Sequence, residues 1–147
     1  MNRITPITAG EIRKRRGYTN PFQDHIGIPK IHISTRGSSV SRVIPSEIAK
    51  NVHGIVHGGW TGALLDTTAA GAAYSSQPGR LENGEYGVTA NLNIDFIRPV
   101  FIGEVYNCKG EITERKGSNI YTRATVTDSK GERVAVATAR VKALSPD

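Results

Sequence analysis

The sequence predicts an α+β fold, one long helix packed against an antiparallel sheet of about six strands. Three observations carry this. The run from Trp60 to about Ser76 is rich in alanine, leucine and other small residues, with no proline before Pro78. Val88, Ala90, Leu92, Ile94 and Phe96 alternate with Thr89, Asn91, Asn93 and Asp95, the clearest period-two strand in the chain. Three more strand-like segments follow, separated by turns too short for the crossovers that parallel pairing needs.

The elements follow in order. A short helix is expected around Ala9 to Arg16, and Tyr18 to Pro21 and Ile28-Pro29 read as loop. Lys30 to Arg36 alternates like a strand, Gly37-Ser-Ser39 turns, and Val40 to Ile44 returns. Pro45-Ser46 opens a short helical turn leading to Asn51. Gly58-Gly59 begins the long helix. Gly62 and Gly71 each cost it roughly 1 kcal/mol against alanine, so tertiary packing must compensate. Small residues cover most of its circumference, which fits a helix wrapped by a sheet. Gln77 to Gly84 reads as loop, and Pro99 ends the alternating strand. Strands are then expected at about Glu104 to Glu114, Ile120 to Thr127 and Arg133 to Ala143, with turns at Lys116-Gly117-Ser118 and Asp128 to Gly131. The last four strands read as a meander. No internal repeat or low-complexity segment interrupts the pattern.

Composition narrows the class. At 147 residues the chain is expected to be one domain, residues 1–147, with residues 1–30 as an extension of mixed character. No apolar run is long enough to cross a membrane, and the N-terminus lacks the apolar core of a secretory signal. Cys108 is the only cysteine, which excludes an intrachain disulfide and a cysteine-based metal cluster. The expected location is the cytoplasm. The net charge is +6, partly from Arg13-Lys14-Arg15-Arg16. That run suits a solvated helix end better than a nucleic-acid surface, because no aromatic or helix-turn-helix pattern accompanies it. An anionic, nucleotide-bearing thioester is another ligand a basic chain would favour. His25, His32 and His53 show no ligand spacing, and no metal site is expected.

The chemistry concentrates between Asn51 and Asp66. Asn51-Val-His-Gly-Ile-Val-His57-Gly58-Gly59 makes a helix start bare enough for a ligand to touch backbone N–H groups. Asp66 lies two turns further in, on the face shared by Gly59 and Gly62. That glycine stripe is either a ligand channel or a close helix–helix contact. Acyl transfer needs both features: N–H groups for an oxyanion, and a carboxylate to activate water or attack directly. Gly58 and Asp66 are separated by about 12 Å of helical rise, so one acyl carbon cannot touch both in one chain. If both act on one substrate, the acid comes from a second copy, as in a two-fold dimer with antiparallel central helices. Asn51 also suits a turn, His57 a loop, and Thr89 an ordinary strand position.

From Asn51 to Pro99 the chain resembles hotdog-fold acyl-CoA thioesterases of the phenylacetate-pathway (PaaI-type) branch. The resemblance rests on Asn51, His57-Gly58-Gly59, Asp66, Gly87-Val88-Thr89 and Phe96-Ile-Arg-Pro99, at the branch's spacing. Residues 128–141 also resemble the family's final hairpin. The resemblance implies that the Gly58 N–H holds the thioester oxygen. Asp66 of a partner subunit acts as base or nucleophile, and Thr89 orients water or the acid. Asn51 and His57 position the thioester. Gly59 belongs to the same helix start, and Trp60, bulky for its place, would narrow the acyl pocket. Arg98, Lys116 and Ser118 are candidates for the coenzyme A phosphates. The substrate would be an acyl-CoA with an aryl or medium-chain acyl group. No cofactor is implied, and the chain would form a homodimer or homotetramer. Two other readings stay open, a hotdog hydroxyacyl-CoA dehydratase using His57 and Asp66, and a non-catalytic acyl-CoA-binding sensor.

Overall fold

The computed structural model describes residues 21–29, 31–33, 37–75 and 86–144. The helix expected at Ala9 to Arg16, the basic run, and the loop at Gln77 to Gly84 lie outside them. The described elements are α1 (Pro21–Ile26), β1 (His32–Ile33), β2 (Ser38–Val43), a 3-10 turn (Glu47–Ala49), α2 (Gly58–Ser75), β3 (Tyr86–Phe96), β4 (Tyr106–Lys116), β5 (Asn119–Thr127) and β6 (Arg133–Leu144). The six strands form one sheet in the order β1-β2-β4-β5-β6-β3, and every neighbouring pair is antiparallel. Helix α2 touches each of the strands.

The long helix and the alternating strand fall where the composition places them. Three expectations need correction. Pro21, read as the end of a loop, instead opens helix α1 at Pro21–Ile26, with Asp24 in the first turn and His25 in the last. Ser38 and Ser39 belong to β2 rather than to the turn before it. The last four strands are not one meander. β4, β5 and β6 are, but β3 pairs with β6 at the sheet edge. The link from β3 to β4 is the reason. It is no tight turn; it crosses the end of the sheet and is pinned on the way. The N–H groups of Ile97 and Arg98 donate to the Val134 carbonyl, at 2.9 and 3.1 Å, and that of Gly103 to Pro45 at 2.8 Å.

The core lies between α2 and the inner sheet face. Leu64, Leu65 and Ala69 of the helix meet Ala124, Val126, Ala135, Ala137 and Ala139 of the central strands, all buried. Small residues on both sides let the helix lie close to the sheet. The closest approach is at Gly110 on β4, where an added Cβ would stand 2.5 Å from the Thr68 carbonyl oxygen and 2.5 Å from Ser39 Oγ. The contact is tied by polar threads. Ser39 Oγ donates to the Thr68 carbonyl at 2.6 Å, Thr68 Oγ1 to Leu64 O at 2.7 Å, and Cys108 Sγ to Thr68 Oγ1 at 3.2 Å. Burial pushes the Cys108 thiol up to about 11, against the opposing pull of that hydrogen bond, so it stays uncharged. Gly110→Ala is therefore expected to destabilise the fold by about 3 kcal/mol, since backbone must move to admit the methyl group. Urea unfolding checks this, and an unchanged midpoint would show that α2 floats above β4.

Among the described residues, no helix is long and apolar enough to cross a membrane, and no group of three or more His, Cys, Asp or Glu could hold a metal ion.

Candidate active site

The start of α2 is built by residues 49–57. Asn51 Oδ1 accepts the N–H groups of His53 at 2.9 Å and Ile55 at 3.3 Å, and the Asn51 N–H donates to the Ile55 carbonyl at 2.8 Å. Asn51 thus closes the loop, leaving its NH2 group without a partner among the described residues. The Val56 N–H donates to Val100 at 2.8 Å and the His57 N–H to Ala49 at 2.7 Å, fixing where the helix begins. His57 then caps it. Its Nδ1 accepts the Gly59 N–H at 2.8 Å, which places the neutral ring's proton on Nε2. The imidazole lies so near that a Cβ on Gly59 would stand 3.0 Å from Nδ1. The His57 carbonyl takes the N–H groups of Trp60 and Thr61.

One donor is left over. Among the described residues the Gly58 N–H has no hydrogen-bond partner, and it sits at the positive end of the α2 dipole. The ring of Phe96 lies beside Gly58, 3.4 Å from where a Cβ would be, and Phe96 is 56% exposed. A bare, oriented N–H beside an accessible apolar surface can accept a carbonyl oxygen that is gaining negative charge.

Asp66 is half-buried on the same helix. Thr89 Oγ1 donates to its Oδ1 at 2.7 Å. This contact depends on an irregularity the alternation conceals. The β3–β6 register shifts between Thr89 and Asn91. Beyond the bulge Leu92, Ile94 and Phe96 face inward; before it the parity reverses. Val88, expected inward, is 41% exposed, and Thr89 reaches the helix through its hydrogen bond to Asp66. Thr89→Val keeps the shape and the β-branch but removes the donor. We expect about a tenfold loss of turnover at near-constant KM, for one hydrogen bond to a charged, partly solvated group. Steady-state kinetics decide this, and unchanged kcat would remove Thr89 from the site.

The glycine stripe is neither ligand channel nor helix–helix contact at Gly62. That residue is buried, with a Cβ position 3.2 Å from Ile94 Cδ1 of β3. Trp60 is 6% exposed in the core, and its indole N–H donates to the Ile26 carbonyl at 2.6 Å, tethering α1. The exposed Arg98, beyond the end of β3, pairs with Glu132. Lys116 pairs with Glu114 at 3.2 Å, and Ser118 sits in the β4–β5 turn, its carbonyl accepting the Ala143 N–H at 2.8 Å. Ala143 lies opposite Gly87, so Lys116 and Ser118 stand near the start of β3 and Arg98 near its end. The structure brings Asn51, His57, Gly58 and Gly59 together at one pole of α2. Asp66 and Thr89 meet two turns away.

The profile of the thioesterase superfamily matches residues 53–135. The chain belongs to that superfamily. The candidate residues from His57 to Ser118 fall within the match, and Asn51 lies two residues before its start. Solved structures agree on the fold. A phenylacetic acid degradation-related protein of Ralstonia eutropha is 23% identical, over 91% of this chain and 98% of that one, with a TM-score of 0.75. A single-substitution variant of the phenylacetic acid degradation protein PaaI from Thermus thermophilus is 25% identical, over 85% and 100%, with a TM-score of 0.73. A Streptococcus mutans protein solved with acetyl-CoA bound is 18% identical, over 80% and 89%, with a TM-score of 0.70. A search of curated proteins found no match. The resemblance to PaaI-type hotdog thioesterases, and the α+β architecture expected from it, are borne out.

Sequence reasoning did not find Phe96 beside Gly58, or Tyr74, whose hydroxyl bonds Gly87. Burial raises the Tyr74 phenol above its ordinary value; the Gly87 hydrogen bond opposes this, and the nearby Asp66 charge adds to it. Tyr74 did carry a signal, as a large side chain at the end of a run of small ones.

Proposed function

We propose that this chain hydrolyses an acyl-CoA thioester, with an aryl or medium-chain acyl group, to the free acid and coenzyme A. The site is shared between two copies of the chain. The observation that carries this is the pair of groups on one helix, a Gly58 N–H at its start with no partner among the described residues and Asp66, held by Thr89, about 12 Å further along. That spacing cannot serve one acyl carbon within a chain. Two antiparallel α2 helices, related by a two-fold axis at the β3 edge, would bring Asp66 of one copy to Gly58 of the other.

In this reading the thioester oxygen accepts the Gly58 N–H. Asp66 of the second copy takes a proton from water as the water oxygen attacks the carbonyl carbon. The C–S bond then breaks, and the thiolate leaves and is protonated. Direct attack by the carboxylate, followed by hydrolysis of the anhydride, balances equally well. The His57 Nε2–H and the Asn51 NH2 would help to place the thioester, with Gly59 held back by its own hydrogen bond. Antiparallel β3 edges would also bring Arg98 of one copy and Lys116 and Ser118 of the other to the same end of the joined sheet. That grouping supports a role with coenzyme A phosphates. Homodimers are the minimum, and a homotetramer would be two of them.

The solved relatives support the substrate class, since one was obtained with acetyl-CoA. The test is free-thiol release from aryl, short, medium and long acyl-CoAs by the native chain. Release from aryl or medium-chain thioesters is expected. Binding without release, or an enoyl product from a hydroxyacyl thioester, would replace this reading with a sensor or a dehydratase.

A further inference from the structure

We propose that Tyr74 is a positioning residue, clamping the start of β3 so that Thr89 reaches Asp66. The inference rests on the hydrolase reading for its kinetic consequence, but not for the clamp itself.

Tyr74 lies in the last turn of α2 and reaches across to Gly87. Its hydroxyl donates to the Gly87 carbonyl at 2.8 Å and accepts the Gly87 N–H at 3.3 Å. One side chain thus takes both polar groups of one residue. The ring lies against the same glycine, its Cε1 and Cζ at 3.6 and 3.7 Å from where a Cβ would be. On the other side Val141 Cγ1 would stand only 2.9 Å from that Cβ. Gly87 is therefore gripped between Tyr74 and β6, and only glycine fits the grip.

The bulge explains why a grip is needed. From Asn91 to Phe96 the strand follows β6 in unbroken register. The stretch before the bulge, Tyr86 to Thr89, is short and lies at the sheet edge. Short end segments beyond a bulge slip and fray easily. Slippage by one residue would turn Thr89 to solvent and Val88 to the helix. Two cross-links prevent it, Tyr74 to Gly87 and Asp66 to Thr89, both from α2 to this one stretch. The first contains no catalytic group, yet it sets the geometry of the second. Burial keeps the phenol protonated, so the donor persists through the neutral range.

The test uses the full chain with Tyr74→Phe, Thr89→Val, the double variant, and Gly87→Ala as an independent way to open the grip. Amide hydrogen exchange at Gly87 to Thr89 is expected to quicken in Tyr74→Phe, with exchange across residues 60–70 of α2 unchanged. With an acyl-CoA that the native chain cleaves, kcat should fall about tenfold in Tyr74→Phe at near-constant KM. Gly87→Ala should behave likewise. The double variant should be no slower than Thr89→Val alone, because both act through one contact. Full kcat in Tyr74→Phe, losses that multiply in the double variant, or unchanged exchange would overturn the proposal. If the native chain released no thiol, the hydrolase reading would fail, and the exchange data would still decide the clamp.

Discussion

Asp66→Asn is expected to lower thiol release by a hundred- to ten-thousandfold, the span covered by loss of a general base. The substitution is close to isosteric. Thr89 Oγ1 donates to Oδ1 of Asp66 at 2.7 Å, and an asparagine carbonyl oxygen can accept that bond unchanged. The side chain is half-buried and no ion pair holds it among the described residues, so the fold should lose little. What disappears is the lone pair that takes a proton or attacks carbon. Substrate affinity should persist, because the Gly58 N–H and the groups around it are untouched. The informative measurement combines single-turnover thiol release with calorimetric titration of coenzyme A. Native-like turnover would sink the assignment of Asp66. Loss of both turnover and coenzyme A affinity would show a binding role instead.

How much of this was legible in the sequence depends on the range of the physics. The composition of residues 60–76 marked α2 because helix propensity and small-residue packing are local. The alternation of residues 88–96 marked β3 for the same reason. The place of β3 in the sheet was not legible. It depends on the link over residues 97–105 being held by Val134 and Pro45, contacts between segments far apart in the chain. The bulge was concealed because Ala90 is small and neutral and fits either face, so an unbroken alternation read equally well through it. Thr89 reached Asp66 in the sequence reading only through the family pattern; the register shift supplies the cause. Trp60 shows the converse. Its bulk beside two glycines suggested a pocket wall, but its partner is Ile26, far away in sequence, and the indole is buried in the core. Asn51 shows two readings meeting in one residue, since its Oδ1 closes a turn while its NH2 stays available.

The oxyanion donor can be removed by itself, because Gly58 opens α2 and its N–H has no partner among the described residues. Gly58→Pro deletes that N–H at the one helical position where proline is well tolerated. The extended preference that proline imposes on His57 matches the usual geometry of a helix cap. A Cβ at this position would stand 3.4 Å from the Phe96 ring, at ordinary contact. Turnover is expected to fall a hundred- to a thousandfold, as for loss of one oxyanion-hole donor. This variant and Asp66→Asn then test the shared site together. Unfolded as a mixture and refolded, the two chains should form mixed dimers in about half of the population. In a mixed dimer one site combines both defects. The other pairs the intact Asp66 of one chain with the intact Gly58 of the other. Recovery to about a quarter of native activity is therefore expected, from two parents that are nearly inactive. If donor and acid worked within one chain, every site would carry one defect and mixing would restore nothing.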